Sequence, residues 1–353
     1  MFKCLIVVET QCFASHTRSH KISKYIDYPN MKDLFLSLRQ EMEWGFESPA
    51  LQAPPQEGNA YRTQTLRRFA RPPFKGGRGD SKTQPGKTET MLDLKNKTAL
   101  ITGGGTGIGQ SIALHLAQEG CRLVLTGLGM DDLNKTKEMC EKYGVKAWAT
   151  ETQLDDYASI DRLYDYVMEQ GLSIDLFVLN AGISQREKAL DTDISVDEKI
   201  MKIDYMSGVY LVKKFKEMIM AKEHVQFSVT TSLSGLFGFP LRSAYCAAKH
   251  ALFGFYESLE LEYDNIGVTF LIPGRINTQI SKSALHGDGT AHAKMDAGQA
   301  NGLGVKKCGK IAVRAIKRQK HRKLIGRSEL LMAYIHKYCL PLYYKLSRKI
   351  SAT

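Results

Sequence analysis

Residues 91–330 predict a doubly wound α/β fold, a parallel sheet of about seven strands with helices on both faces. Three observations carry that prediction. From residue 97 onward, short β-rich runs alternate with segments of helical apolar spacing, the pattern of βαβ units. The first such strand runs into Thr102-Gly-Gly-Gly-Thr-Gly-Ile-Gly109, and helical spacing starts there. No internal repeat interrupts the alternation.

In order, strands are predicted at Thr98–Thr102, Arg122–Thr126, Val145–Thr150, Asp175–Asn180, Gln226–Thr231 and Val268–Ile272, with a short seventh at Lys323–Ile325. The first helix is marked by Ile108, Ile112, Ala113, Leu116 and Ala117 and is stopped by Gly120 at a C-cap position. A later helix carries Ala248, Ala251, Leu252, Phe255 and Leu259 on one face. Residues 1–90 read as a disordered extension or an upstream segment: 48–90 are rich in Pro, Gly, Gln, Thr and Arg, a solvated composition. Met1–Val8 is a weak signal peptide, because Glu9 follows it. Thr65–Arg71 resembles part of a targeting sequence, spoiled upstream by Glu41, Glu43 and Glu47. Met91 leads into the first strand as a natural start would.

The chain of 353 residues is long enough for a core of full size. No stretch reaches the ~18 uninterrupted apolar residues of a spanning helix. Seven cysteines, scattered and without a CxxC, suit a reducing intracellular compartment and argue against disulfides or a zinc site. The expected location is the cytoplasm or the cytoplasmic face of a membrane such as the endoplasmic reticulum. The net charge of +12 is uneven: residues 305–353 hold 14 Lys and Arg against Glu329 alone. The body, 91–304, is net −6. Nucleic-acid binding explains the basic end poorly, since no recognition motif accompanies it. Residues 331–353 mix lysines with aromatic and apolar side chains, and Pro341 splits them into two short helices. Two readings stay open for this tail: a lid over a substrate cleft, or a membrane-surface anchor.

Two motifs carry chemistry. Gly103, Gly105, Gly107 and Gly109, with Thr102, Thr106 and Ile108, lie between a strand and a helix. Glycines there let backbone approach a pyrophosphate, and the helix N-terminus offers free N–H groups, so a dinucleotide site is predicted. Tyr245 and Lys249 are four apart on a helix and project side by side. A phenol with a pKa of ~10 is a poor acid at neutral pH. A neighbouring cation lowers that value and makes a general acid or base. Taken alone, such a pair is more often an ordinary surface contact.

The spacing T-G-x-x-x-G-x-G, Asn180-Ala-Gly182 after the fourth strand, Ser232 thirteen residues before Tyr245, and Pro273-Gly274 after the sixth strand settle the matter. Together with the Tyr-x-x-x-Lys pair they resemble the short-chain dehydrogenase/reductase family over essentially all of 91–330. The resemblance implies that Ser232 hydrogen-bonds the substrate oxygen, Tyr245 exchanges the proton, and Lys249 lowers the tyrosine pKa while holding the nicotinamide ribose. It implies that Asn180, Ala181 and Gly182 line the adenine-ribose side, and that Pro273, Gly274, Ile276 and Thr278 close over the nicotinamide. There are three departures. Asp204 stands where the family usually has an asparagine that keeps a relay water behind the lysine. Gln153 lies near the position of an aspartate that contacts adenine. Gly127-Leu128 supplies no acid for a ribose 2′-hydroxyl, which favours NADP, with NAD as the alternative.

Within the family, Leu241–Leu252 and Ala284–Gly289 look most like the dehydrogenase/reductase member 7B branch. That branch and the ketosphinganine reductases imply a bulky lipid- or steroid-like carbonyl substrate. Phe237–Arg242 and Asn277–Gly304 are expected to flank its cleft. The implied function is NAD(P)-dependent hydride transfer to or from a carbonyl or secondary alcohol by a homo-oligomer. A cofactor-binding protein with little catalysis, acting as a scaffold, is the alternative.

Overall fold

A computed structural model describes residues 91–349 of the protein; the N-terminal extension expected over 1–90 lies outside the described residues, as do residues 350–353. Seven strands form one parallel sheet: β1 (Thr98–Thr102), β2 (Arg122–Gly127), β3 (Ala147–Glu151), β4 (Leu176–Leu179), β5 (Val225–Thr230), β6 (Ile266–Pro273) and β7 (Arg322–Ile325). Each strand agrees with its predicted span to within two residues at either end. The order is β3-β2-β1-β4-β5-β6-β7, so the chain reverses direction across the sheet between β1 and β4. A crevice opens at the carboxyl ends of the strands at such a reversal.

The central strands β1, β4 and β5 are buried on both faces, as a sheet covered on both sides requires. Ala99 and Ile101 of β1 point to one side, into a core with Ile112, Leu116 and Ile316. Leu100 points to the other, into a core with Ile160, Leu163, Phe215 and Tyr256. The first face is covered by α1 (Gly107–Gln118), α2 (Met130–Glu141) and, late in the chain, α9 (Val305–Lys317). Gly120 adopts φ +80° just past α1, the left-handed conformation that ends a helix there.

The second face is covered by α3 (Tyr157–Glu169), α5 (Ser207–Lys214), the short α6 (Lys216–Met220) and α7 (Ser243–Glu262), while α4 (Ile194–Met201) packs Val196 and Ile200 on Ala244 and Ala248 of α7. A π-helical turn, Lys202–Met206, joins α4 to α5 and carries Asp204 into the interior. A four-residue helix, α8 (Ala297–Ala300), precedes α9. The chain then forms α10 (Leu331–Tyr338) and α11 (Leu340–Ser347), broken as predicted at Pro341, which occupies the first turn of α11.

Candidate active site

Tyr245 and Lys249 lie in the first two turns of α7, whose start is fixed by Gln185: its Oε1 accepts the Ala244 N–H at 3.0 Å. Both side chains are buried, and the Lys249 ammonium sits 5.5 Å from the Tyr245 ring centroid. Lys249 Nζ donates to the Thr230 carbonyl at 3.3 Å and pairs with Asp204 Oδ2 at 3.1 Å. The other oxygen of Asp204 accepts the Ile183 N–H at 2.7 Å. Burial works against the Lys249 charge, but Asp204 and Tyr245 outweigh it and hold its pKa above the ordinary lysine value. The expected relay position is thus a direct ion pair.

Gly182 makes room for that pair. A Cβ there would lie 2.7 Å from Asp204 Oδ2 and 3.1 Å from Lys249 Nζ. Behind the lysine, Thr102, Asp204, Thr230, Lys249 and Tyr256 line an internal pocket of about 20 Å³, the size of one water. Burial pushes the Tyr256 phenol well above its ordinary pKa, so it stays protonated.

The larger cleft, about 400 Å³, runs along the carboxyl ends of the strands. Gly103, Gly105, Thr106, Gly107 and Ile108 line it where β1 meets α1, and Leu128 lines it past the end of β2. Asn180, Ala181 and Gly182 form the floor, and Ser232, Tyr245, Lys249, Pro273, Gly274, Ile276 and Thr278 the far end. Gly107, at φ +56°, opens α1, and no side chain caps that helix, so its first amides are open to an anion. The uncapped helix, the glycine wall and the polar far end together fit a dinucleotide.

Two residues predicted to touch the cofactor stand behind the wall instead. Thr102 accepts the Asn180 and Ala181 N–H groups at 3.0 and 3.2 Å, tying β1 to β4. Gly109 packs so tightly under the loop that a Cβ would come within 2.1 Å of the Gly103 carbonyl oxygen. Gln153 is exposed and away from the cleft, whereas Asp155, two residues on, lines it. Nothing in the sequence singled Asp155 out, because the bend after β3 decides which of these side chains turns inward.

The substrate end was read only as a region. Gln279, Ile280, Ser283 and Gln299 bring Asn277–Gly304 to the cleft. Of Phe237–Arg242, only Arg242 reaches it; Phe237 and Phe239 pack towards the C-terminal helices. Arg186 escaped the sequence reading. It is buried and pairs with Asp296 at 2.6 Å, while Arg242 approaches the same carboxylate at 3.6 Å. These pairs fasten the 284–296 segment beside the cleft, helped by Leu285 N–H to the Ser184 carbonyl at 2.8 Å. Burial, with Arg186 alongside, pulls the Arg242 pKa down to about 10.

The short chain dehydrogenase family model matches residues 97–288. The chain belongs to the short-chain dehydrogenase family. Its similarity to members of that family extends past the matched domain. A dehydrogenase/reductase SDR family protein 7-like from Anopheles gambiae is 34% identical over 272 residues, covering 74% of this chain and 86% of the relative. A dehydrogenase/reductase SDR family member 7B from Xenopus tropicalis is 29% identical, covering 69% and 81%. Among solved structures, a short chain dehydrogenase/reductase from Burkholderia phymatum in complex with NAD superposes with a TM-score of 0.63 at 21% identity, covering 71% of this chain and 96% of that one. The protein is therefore an oxidoreductase of the Rossmann type.

Proposed function

We propose that the protein transfers hydride between NADP and a carbonyl or secondary alcohol, with Tyr245 as the proton donor in the reductive direction. The observation that carries this is the buried line Asp204–Lys249–Tyr245, which ends in the same cleft as Ser232 and the open N-terminus of α1. When bound, the nicotinamide ring supplies or accepts the hydride. The α1 amides and Gly103–Gly107 hold the pyrophosphate, Lys249 a ribose hydroxyl, and Pro273, Gly274, Ile276 and Thr278 the nicotinamide end. Ser232 Oγ accepts the Ser234 N–H at 3.2 Å, which leaves its own O–H to donate to a substrate carbonyl. Tyr245 gives its proton to that oxygen, and the ammonium of Lys249 stabilises the phenolate left behind.

The end of β2 favours NADP, because Gly127-Leu128 offers no carboxylate to a 2′-hydroxyl and Leu128 is exposed. The substrate we propose is a bulky, apolar, lipid- or steroid-like ketone, for which Ile183 and Ile280 give the cleft apolar walls. The test is oxidation of NADPH and of NADH against a panel running from small soluble ketones to steroid and long-chain ketones. We expect turnover with NADPH, fastest on the bulky ketones. Tight cofactor binding with no turnover across the panel would return the scaffold reading.

A further inference from the structure

The inner and outer faces of the two C-terminal helices are both apolar. Inward, Met332, Ala333 and Ile335 of α10 pack on the main core, and Tyr343 of α11 is buried in it. The Tyr343 hydroxyl donates to the Gly238 carbonyl, and its ring meets Phe237 at 5.3 Å and His336 at 4.7 Å. These contacts fix the rotation of both helices. Outward stand Leu331, Tyr334 and Tyr338 of α10 and Leu340, Leu342 and Tyr344 of α11, between 41% and 61% exposed.

A water-facing helix normally carries polar residues outward. The same basic region contains one that does: α9 buries Cys308, Ala312, Val313 and Ile316 and turns Lys306, Lys307, Lys310 and Arg314 to solvent. The outer face of α10 and α11 thus departs from a pattern that its neighbour in sequence keeps. Lys337, Lys345, Arg348 and Lys349 lie among its apolar side chains, all exposed, with no acidic residue between 330 and 349.

We propose that this face docks on an anionic lipid bilayer. Leucine and tyrosine side chains at headgroup depth, ringed by lysine and arginine, are the composition of helices that lie in a membrane interface. No described helix is long and apolar enough to cross a bilayer, so the helices lie on the surface. A second copy of the chain suits the face less well. A symmetric contact would set the same four cations against their own copies with no acid to offset them. A negatively charged lipid surface offsets them directly. None of residues 331–349 lines the cleft, so the helices act beside it and not as its lid. They rest on Phe237 and Gly238, in the segment that joins Ser232 to α7, so docking holds the substrate end close to the bilayer.

The test is co-sedimentation of the full chain with vesicles of phosphatidylcholine, with and without phosphatidylserine, at low and raised salt. One variant reverses the charges (Lys337→Glu, Lys345→Glu, Arg348→Glu, Lys349→Glu). A second removes outer apolar groups (Tyr334→Ser, Tyr338→Ser, Leu342→Ser). Both should melt at the wild-type temperature, because every altered side chain points outward. The wild type should bind phosphatidylserine vesicles at least about tenfold better than neutral ones, and the charge variant should lose that preference. The apolar variant should lose the part of binding that survives raised salt. Wild-type binding that ignores lipid charge, or that neither variant reduces, overturns the proposal. So does a wild-type dimer that the apolar variant dissociates in a protein that binds no vesicle, which would give the face to a second copy.

Discussion

Around Lys249 the protein buries charge, and along residues 331–347 it exposes apolar surface; each is the reverse of what a soluble fold does by default. The two are built differently. The two charged groups of the Lys249 site have defined partners: Asp204 and the Thr230 carbonyl on the lysine, the Ile183 amide on the aspartate. The stripe of α10 and α11 has well-anchored backs and solvent-exposed apolar fronts. A buried charge pair is a weak source of stability but is costly to break, so its presence at the end of a cleft points to chemistry. An exposed apolar stripe gains nothing for the isolated chain, so it points to a surface outside it.

The sharpest break in this contrast is Lys249→Met. It leaves the Asp204 carboxylate buried without its cation, and we expect a loss of about 3–5 kcal/mol in stability along with activity. Chemical denaturation measures it; a wild-type midpoint would mean that the pair is not buried as described. Gly182→Ala comes next. The added Cβ would press on Asp204 Oδ2 at 2.7 Å, costing about 1–3 kcal/mol in stability and parting the pair from the floor of the cleft.

Asp204→Asn is gentler and tests electrostatics alone. The amide oxygen still accepts the Ile183 N–H, so the enzyme should stay active, whereas Asp204→Ala should be much weaker. Asp204 is one of the groups that raise the Lys249 pKa, so its neutralisation lets the lysine lose its proton at lower pH. The alkaline limb of the pH–rate profile should therefore move to lower pH in Asp204→Asn; an unmoved limb would remove Lys249 from the titration. Smallest of all, Tyr334→Ser should change stability by no more than about 0.5 kcal/mol, since its side chain is on the exposed front.

The sheet was legible because its strands are short β-rich runs, apolar throughout in β4, set between segments of helical spacing, and Gly120 and Pro341 mark helix ends through backbone geometry alone. The glycine loop was legible from its place between a strand and a helix, whereas Ser232, Tyr245 and Lys249 were singled out by the resemblance of their spacing to the family's. Thr102 and Gly109 share the glycine motif yet face away from the cleft, since the spacing gives the loop but not the direction of each residue in it. The direct contact of Asp204 with Lys249 depends on a π turn, which leaves no periodicity to read. Arg186, Asp296 and Arg242 are up to 110 residues apart, and only the folded 284–296 segment makes them neighbours.

The central claim is that Tyr245 delivers the proton. Its most direct measurement compares wild type and Tyr245→Phe for turnover of the best ketone found, with cofactor affinity measured in the same preparations. The account predicts at least a ~10²-fold loss of turnover with cofactor binding little changed, the signature of a lost general acid. Wild-type turnover in Tyr245→Phe would contradict it.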